Sequence, residues 1–590
     1  MKALSTLVLM SALTALNVQC SDPKHAAAKA ASEVRPEPHP PLYTSAGASA
    51  KATFFEYHWH NDTEDSTYYL SFIAACDQQA AAILAFCDTT WVGTAPSLHC
   101  YPSMETKGLA LKNTSPLQVN KDGRSAAAIA NPIYATYWLG PQNQLLLRQI
   151  LGPPNVALLE AGLAVVFNPT WQKHGFIYWK SRLANTRLLP GLPQLETFCN
   201  DQFQSPLLRQ LASAAFCDFL IRRWGKAAFL ERYATWRPEQ QELLAMEPHW
   251  QDYLAQGTSK PIIPERRPTV YLKGFNFAHE GYSIYNGYGS RLAAEMLEEQ
   301  AMLGANAVAI VPYSYMRSPE KPQPLPIMSR AGTENDESVV RDLVYARKQG
   351  LHTILKPQIW LGGGHWPGDV EMQNSTEWAA FFEHYTRWVA HYALLAEIYE
   401  ADVFCVGVEF AKATLQQPEA WRKVVAMARS VYSGPVTYAA NWGSEFEQLT
   451  FWDDLDLIGL NCYYPLSEAS TPSKADLSGR FDQVLKRAKT ISESFERPVV
   501  LTEIGFTSTT TPWLQPHFDG DGETYSGAAQ LQCYEVVTEA LAREADWCRG
   551  VLWWKYPSYP SLGGEKHTGF TPNNKPTEQQ LPVLFSRLPD

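Results

Sequence analysis

Two apolar runs typical of β-strands each end on a single glutamate. Glu409 follows residues 403–408, and Glu503 follows residues 499–502. A strand buried on both faces is rich in Val, Ile, Leu and Phe, and an unpartnered carboxylate at its end carries a large desolvation cost. Two carboxylates facing each other across a sugar can hydrolyse a glycosidic bond with retention, one as nucleophile and one as acid and base, when about 5–5.5 Å separates them.

Each glutamate taken alone is explained as well by a structural role, as a solvated strand-end residue or a salt-bridge partner, as by a catalytic role. The pair is harder to explain in that way if both strands belong to one (β/α)8 barrel. In that fold, side chains at the carboxyl ends of the strands point into the mouth where active sites are built. The glutamates are therefore informative only if the remaining elements form such a barrel.

From residue 269 onward, apolar strand-like runs alternate with amphipathic helical stretches, which is the pattern of βαβ units. An open nucleotide-binding sheet is disfavoured, because the turn after the first strand lacks a glycine-rich phosphate motif. We predict an α/β chain in which residues 269–590 form a (β/α)8 TIM barrel. The predicted strands are residues 270–278, 307–312, 352–358, 403–409, 436–441, 457–463, 499–503 and 551–555.

Alternation of side chains along each strand predicts which residues point into the barrel. In the sixth strand, Ile458, Leu460 and Cys462 form an apolar set that we expect to face the helices. The opposite sets become polar near the strand ends, which predicts a lined pocket above a packed core. For each polar residue, a structural hydrogen bond and a substrate contact are equally open. The predicted inward residues are Gly274, Asn276 and Ala278; Lys356, Gln358 and Trp360; Thr437, Ala439 and Asn441; and Gly459, Asn461 and Tyr463.

The same rule applies to the two strands that carry the glutamates. Glu409 alternates with Cys405 and Gly407, and Glu503 alternates with Val499 and Leu501. We therefore expect these four residues to face the barrel interior together with the glutamates.

Composition narrows the classes of partner. The chain has 590 residues, of which 45% are hydrophobic and 12% aromatic, enough for two packed domains. Its formal net charge of −11 argues against nucleic acid as the main partner, because phosphate binding needs clustered Lys and Arg. The 19 Trp and 28 Tyr suit a sugar-binding cleft, although large folds also bury such rings.

The N-terminus has the features of an export signal. Lys2 precedes a short apolar stretch, residues 4–16, which is too short to span a bilayer. With Cys20 after it, this stretch resembles a bacterial lipoprotein signal. The resemblance implies a signal peptide at residues 1–20, lipidation of Cys20, a flexible tether at residues 21–50 and a membrane-anchored protein of the periplasm or cell surface. Simple secretion is the alternative, because Asn17 replaces the usual Leu three positions before the cysteine.

The other nine cysteines are distributed over both halves of the chain. We expect Cys405 and Cys462 to pack as small hydrophobic residues within barrel strands. One or two disulfides are expected in the first domain of an exported protein, with pairing left open. The candidates are Cys76, Cys87, Cys100, Cys199 and Cys217.

Seven strings in residues 269–590 together resemble glycoside hydrolase family 113, a clan A family of (β/α)8 barrels best known for β-1,4-mannanases. They are KGFNF (273–277), LKPQIW (355–360), VGVEF (406–410), YAANW (438–442), DLIGLNCYYP (456–465), LTEIG (501–505) and VLWWK (551–555). The resemblance implies Glu409 as acid and base and Glu503 as nucleophile. It also implies a β-linked polysaccharide or oligosaccharide substrate, with neither metal nor other cofactor.

The resemblance extends to residues around the glutamates. It implies that Tyr463 hydrogen-bonds Glu503 and keeps it ionised, and that Trp553 or Trp554 forms the floor of the subsite for the cleaved sugar. Alternation does not choose between the two tryptophans. Val408 departs from the family pattern, since many clan A enzymes carry there an Asn that bonds the sugar 2-hydroxyl. Asn441 or Asn461 is our hypothesis for a replacement.

Residues 51–258 are predicted to form a mainly helical α+β domain, joined to the barrel by a linker at residues 259–268. Strings at residues 155–167 and 208–233 resemble a gluzincin metallopeptidase, in which the counterpart of Glu160 binds zinc. The chain has no His-Glu-x-x-His motif, so we expect a degenerate, non-catalytic domain. His58 and His60 share one face of a strand, where we expect surface residues rather than ligands.

These patterns leave three candidate functions of the chain to be compared. The first is a retaining, endo-acting β-glycosidase of the mannanase type. The second is a catalytically inactive glycan-binding protein of the cell surface, which the presence of both glutamates disfavours, because a binding protein would tolerate Gln at either position. A peptidase is excluded by the missing zinc ligands. Neither the particular glycan nor the oligomeric state follows from these patterns.

Overall fold

The computed structural model describes residues 48–51, 54–60, 66–90, 93–120, 123–130, 140, 142–256, 270–278 and 280–589. The predicted signal peptide with Cys20, nearly all of the predicted tether and the whole predicted linker lie outside these residues. Within the described part, no helix is both long enough and apolar enough to cross a membrane.

The first half of the chain begins with a five-stranded sheet. Its order is β1-β2-β3-β5-β4, with β2, β3 and β5 parallel and the two edge strands antiparallel. The strands are β1 (Ala48–Lys51), β2 (Glu56–Trp59), β3 (Ser97–Tyr101), β4 (Leu117–Val119) and β5 (Ser125–Ile129).

Helices make up the rest of this half. They are α1 (Ser66–Phe86), α2 (Met104–Leu111), α3 (Gln142–Leu151), α4 (Ala157–Val166), α5 (Phe176–Leu183), α6 (Leu192–Asn200), α7 (Pro206–Trp224), α8 (Lys226–Arg232) and α9 (Gln240–Ala255). The Ser205 side chain caps α7, Pro206 occupies its first turn, and Gly225 ends it with φ +81°. Gly162 lets α4 and α7 approach closely, because a Cβ there would lie 2.2 Å from the Ser213 carbonyl oxygen.

The second half is a closed eight-stranded parallel barrel, as predicted. Around the barrel the order is β11-β12-β13-β14-β15-β6-β7-β9. The strands of this half are β6 (Leu272–Ala278), β7 (Ala307–Val311), β8 (Tyr313–Met316), β9 (His352–Leu355), β10 (Gln358–Leu361), β11 (Val403–Val408), β12 (Val436–Asn441), β13 (Leu457–Asn461), β14 (Val499–Ile504) and β15 (Cys548–Tyr556).

Helices surround the barrel. They are α10 (Arg291–Met302), α11 (Asp336–Lys348), α12 (Ser375–Ile398), α13 (Ala411–Gln416), α14 (Pro418–Val431), α15 (Ser444–Gln448), α16 (Lys474–Phe495), α17 (Gly527–Arg543) and α18 (Pro576–Ser586). The predicted third strand is interrupted at Lys356-Pro357: β9 belongs to the barrel, and β10 pairs with β8 in a separate two-stranded sheet. Proline has no N–H to donate, which accounts for a break at this position.

Two apolar layers build the barrel. A small interior cluster contains three side chains from β7 and one from each of six other barrel strands, among them Ala309, Val403 and Val500. A much larger cluster lies between the strands and the helices and includes Phe275, Ile458 and Leu460. These placements confirm the alternation predicted for the first and sixth strands.

The large apolar cluster also contains residues of the first half, such as Trp179, Leu207 and Leu211. Polar contacts reinforce this junction. The Arg182 guanidinium donates to the carbonyls of Ser430 and Val431 at the end of α14, at 2.9 and 2.8 Å. The two halves therefore share apolar packing at this junction, while the first half also has a separate apolar cluster that includes Tyr57 and Phe216.

A second junction involves loops that follow barrel strands. The Thr114 hydroxyl donates to Glu337 at 3.0 Å, and the backbone N–H of Arg291 donates to Glu105 at 2.6 Å. Met104 packs so closely against Gly289 that a Cβ there would lie 1.9 Å from the Met104 methyl group. Segments 281–291 and 330–337, on the catalytic face of the barrel, are thus held by α2 and the turn after it.

The disulfide prediction is wrong for the cysteines in the described residues, because all nine are free. Eight of them are buried, and only Cys87 is partly exposed. Cys405 and Cys462 pack among apolar neighbours as expected.

Candidate active site

Glu503 lies at the end of β14 and is almost completely buried. The Lys356 ammonium donates to its Oε1 at 2.6 Å, and the Gln358 amide donates to the same oxygen at 3.0 Å. The Tyr463 hydroxyl donates to Oε2 at 2.9 Å, as the family resemblance implied. Three donors, one of them the buried Lys356 ammonium, therefore hold both oxygens of this carboxyl group in place.

Glu409 lies immediately after β11, with φ +57°, in the left-handed region that few non-glycine residues adopt. The backbone around it is held by hydrogen bonds: its N–H donates to the Ala439 carbonyl at 2.9 Å, and the Phe410 N–H donates to the Tyr438 hydroxyl at 2.7 Å. Unusual backbone conformations of this kind persist where surrounding structure enforces them, and they concentrate at functional sites.

Strict alternation does not bring the glutamates into the site, so part of that prediction is wrong. Val499 and Leu501 face the helix layer, and Val500 lies in the barrel interior. The register of β13 against β14 shifts by one residue, so that Leu460 pairs with Leu501 but Asn461 pairs with Glu503. This β-bulge lets both Thr502 and Glu503 point inward.

A second bulge lies in β11. Cys405 pairs with Thr437, and Val408 pairs with Ala439, so β11 contains one extra residue there. Gly407 consequently faces the helices, where a Cβ would meet Tyr385 and Trp421, and its predicted inward orientation is wrong. The bulge and the left-handed φ together orient the Glu409 side chain toward the mouth.

Asn461 connects the two glutamate strands. Its amide nitrogen donates to Glu409 Oε1 at 3.0 Å, and its amide oxygen accepts from the Thr502 hydroxyl at 2.9 Å. Both polar ends of this fully buried side chain are therefore engaged in orienting β11 and β14.

The environments of the two carboxyl groups differ. Burial and the negative charge of nearby Glu503 raise the pKa of Glu409 to about 8, against the opposing effect of the Asn461 hydrogen bond. At neutral pH the raised pKa of Glu409 therefore favours its protonated form. Two carboxyl groups whose environments differ in this way can act as an acid and a nucleophile in one site.

A third buried carboxylate, Glu445, supports this arrangement, and no sequence pattern singled it out. It accepts from the Tyr438 hydroxyl at 2.6 Å, the Thr414 hydroxyl at 2.8 Å and the Asn441 N–H at 2.7 Å. Burial raises the pKa of Glu445 to about 7. Since Tyr438 in turn accepts from Phe410, Glu445 positions the segment that carries Glu409.

The structure chooses between the two tryptophans of β15. Trp553 is buried in the helix layer and stacks on Tyr534, with ring centroids 3.7 Å apart. Trp554 is half-buried on the opposite face, and the Lys356 ammonium lies 5.4 Å from the centroid of its ring. Trp554 is therefore the candidate subsite floor, and the alternative placement of Trp553 is wrong.

The remaining predicted subsite residues occupy different depths. Asn276 is fully buried, and its amide donates to the carbonyls of Thr502 and Leu552, so it holds barrel strands together rather than reaching a sugar. Trp360 is 38% exposed and lies 5.5 Å from the Tyr313 ring, at the rim. Asn441 is half-buried at the end of β12.

Replacing the two tryptophans separately should give opposite phenotypes. Trp553→Ala leaves a large cavity and should lower the free energy of unfolding by about 3–5 kcal/mol. Trp554→Ala should cost little stability but reduce kcat/KM by about tenfold through a higher KM, because it removes a sugar-stacking face. Denaturant unfolding and steady-state kinetics on both variants measure this, and similar stability losses in the two would contradict the placement.

The first half of the chain shows no metal site among its described residues. Glu160, the counterpart of a gluzincin zinc ligand, instead accepts from the Arg148 Nε through both oxygens at 2.8 Å. His58 and His60 are not isolated surface residues as expected: the His58 ring stacks on His99, and His60 Nε2 lies 3.1 Å from His99 Nδ1.

A scan of protein-family models matches residues 279–575, just over half of the chain, to Glycoside Hydrolase Family 113. The chain belongs to this family. It is thus a glycoside hydrolase, and the family 113 match contains Glu409, Glu503 and the residues that contact them. None of the comparisons supports the gluzincin resemblance of residues 51–258. A comparison with curated proteins finds no match.

Solved structures similar to this family 113 chain include two mannanases. AaManA, a family 113 β-mannanase from Alicyclobacillus acidocaldarius in complex with ManMIm, is 25% identical, with a TM-score of 0.48 over 54% of this chain and 97% of its own. A family 113 β-1,4-mannanase is 23% identical, with a TM-score of 0.47 over 54% of this chain and 99% of its own. A β-D-glucuronidase from Dictyoglomus thermophilum is 16% identical, with a TM-score of 0.37 over 54% of this chain and 51% of its own.

Proposed function

We propose that the chain is a retaining, endo-acting β-glycosidase of the β-1,4-mannanase type, with Glu503 as nucleophile and Glu409 as acid and base. One observation carries the proposal: Lys356, Gln358 and Tyr463 all donate to Glu503, while Asn461 donates to the nearby buried Glu409. Burial and the Glu503 charge raise the pKa of Glu409, which suits the acid of the pair. Mannan is favoured as substrate by membership of family 113, which the sequence resemblance describes as best known for β-1,4-mannanases.

The proposed reaction proceeds in two displacements. Glu503 attacks the anomeric carbon and forms a glycosyl ester, while the Glu409 proton passes to the departing glycosidic oxygen. Ester formation removes the negative charge of Glu503, so the pKa of Glu409 falls and its carboxylate can accept a proton from water. That water attacks the same carbon, the ester bond breaks, and both carboxyl groups return to their initial states.

The proposed acid gives the enzyme a distinctive pH profile. Because Glu409 must carry its proton in the first step and its pKa is raised to about 8, kcat/KM for a polysaccharide should fall as the pH rises through about 8. Steady-state kinetics across this pH range measure the decrease in kcat/KM. An aryl glycoside with a dinitrophenolate leaving group needs no acid, so its kcat/KM should not decrease over this range. The same decrease with both substrates would assign the ionisation to another group.

We also propose that the mature protein is exported and anchored through a lipid on Cys20. The charged start, the apolar residues 4–16 and the cysteine after them support this assignment. A glycoside hydrolase held at a membrane surface would act on polysaccharide outside the cytoplasm. Growth with a radiolabelled fatty acid should label the wild-type protein and leave a Cys20→Ser variant unlabelled.

The proposed activity is tested by product analysis. Reducing-sugar release should be highest on β-mannan or glucomannan in a panel with xylan, cellulose, chitin and peptidoglycan, and NMR of the first products should show the β-anomer. Internal cleavage should release a series of oligosaccharides rather than a single sugar. First products with the α-anomer would exclude retention, and binding without turnover on every glycan would favour the inactive glycan-binding alternative.

A further inference from the structure

A cluster of basic side chains lies beside the candidate subsite and is unused by the proposed reaction. The cationic cluster comprises Lys555 at the end of β15, His567 in the segment that follows, and Lys575 at the start of α18. Lys575 is only 2% exposed, and its ammonium donates to the Gly569 carbonyl at 2.9 Å. None of the described carboxylates forms a salt bridge with it, although an ammonium carries three donors and a buried charge is costly without a partner.

His567 lies within electrostatic range of both lysines. Burial and the two positive charges lower the pKa of His567 to about 4, so its ring is neutral at physiological pH. Its Nδ1 is buried and has no hydrogen-bond partner among the described residues. Burial also lowers the pKa of Lys575 to about 7, so a nearby anion would be needed to keep this ammonium fully charged at neutral pH. The cluster thus presents the unpartnered Nδ1 of His567 and the unused donors of Lys575.

The third member links the cluster to the active site. The Lys555 ammonium pairs with Glu280 and lies 5.6 Å from the centroid of the Trp554 ring, whose other neighbour is Lys356. Glu280 accounts for one of the two lysine charges, which leaves Lys575 uncompensated.

The backbone around the cluster is fixed against the nucleophile strand. The Ser508 hydroxyl, in the loop after β14, donates to the His567 carbonyl at 3.0 Å. Phe570 packs edge-on against Tyr463, the residue that donates to Glu503. The cluster therefore lies on the catalytic face and within reach of a sugar bound over Trp554.

We propose that the cationic cluster binds an oxyanion carried by the glycan, namely the carboxylate of a uronic acid residue in a β-linked substrate. The inference rests on the proposed glycosidase function and extends it to acidic substrates. A carboxylate would accept from the Lys575 ammonium and the His567 ring, which supplies the missing partners. A neutral sugar offers hydroxyl groups but no charge to compensate a buried ammonium.

A comparison of kcat/KM between acidic and neutral substrates tests the proposal. For wild type, kcat/KM should be higher on β-linked oligosaccharides containing uronic acid than on matched neutral ones. Lys575→Met keeps the side-chain length and removes the charge, and should reduce this acidic-to-neutral ratio about 10- to 100-fold, the value of a charge-assisted hydrogen bond. Lys566→Met, which removes an exposed lysine of the same segment, should leave the ratio at the wild-type value.

Binding separates this proposal from the catalytic one. Calorimetry on Glu503→Gln with a uronic-acid oligosaccharide requires no turnover and should show affinity that decreases with added salt and is lost in the double variant with Lys575→Met. Phosphorylated and sulfated oligosaccharides form parallel arms, and a preference for either would overturn the uronic acid assignment. An unchanged ratio and unchanged binding in Lys575→Met would show that the lysine is only a structural element, even if the enzyme is an active mannanase.

Discussion

Glu503→Gln is expected to lower kcat/KM on β-mannan by about a thousandfold or more, because the amide cannot form the glycosyl ester. The substitution keeps the size of the side chain and one acceptor oxygen. Because Lys356 and Tyr463 donate to different oxygens of Glu503, the amide oxygen can accept from only one of them. Glu523→Gln is the matched control, since Glu523 is an exposed acid in the loop that follows the same strand. Its kcat/KM should equal that of the wild type.

A loss of folding would imitate this result, because the Lys356 ammonium would lose its ionic partner in a buried site. Thermal unfolding of Glu503→Gln therefore accompanies the kinetics, which are measured well below the transition. Mass spectrometry adds a direct readout: a 2-deoxy-2-fluoro mannosyl fluoride should add one sugar mass to wild type and none to the variant. Turnover within tenfold of wild type in a folded variant would refute the nucleophile assignment.

Glu409→Ala is expected to have an effect that depends on the leaving group. On β-mannan, where the departing oxygen needs a proton, kcat/KM should fall by about 100- to 10,000-fold. On a dinitrophenyl glycoside, formation of the ester should continue, but its hydrolysis should be slow because no base activates water. A burst of dinitrophenolate followed by a slow steady state is the expected time course.

Added azide provides a second test that distinguishes Glu409→Ala from the wild type. As an anionic nucleophile it needs no base, so it should restore steady-state turnover of the dinitrophenyl substrate in Glu409→Ala and yield the β-glycosyl azide. Wild type should show no such acceleration. An α-azide, or equal losses on both substrates, would mean that Glu409 is not the acid and base.

Much of the barrel follows from local sequence because its strands are continuous apolar runs ending on polar residues. Alternation placed Asn461 and Tyr463 correctly, since β13 up to Leu460 runs in regular register. It failed for Val499, Leu501 and Gly407, because one-residue bulges change the facing of a strand and leave no local compositional signal. These bulges orient both glutamates toward the site.

Other parts of the site depend on contacts between distant residues. Both faces of β15 carry a tryptophan, so only the position of Tyr534 on a neighbouring helix shows that Trp553 faces outward. Glu445 lies in the five-residue helix α15, and Lys575 lies just before α18. Neither segment is long enough for sequence periodicity to predict the orientation of these side chains. The strands of the first half are short, and tertiary pairing rather than hydrophobic pattern establishes its sheet.

The contacts of α2 with segments 281–291 and 330–337 mean that the walls of the cleft are a composite of both halves. Gly108 of this helix touches Ile284, beyond the first barrel strand, and the Thr114 side chain holds the start of α11. The positions of these two barrel segments therefore depend partly on residues outside the barrel. A truncated protein that begins at the barrel would lose this bracing, and even if it folded, it would present a differently shaped groove to the polysaccharide.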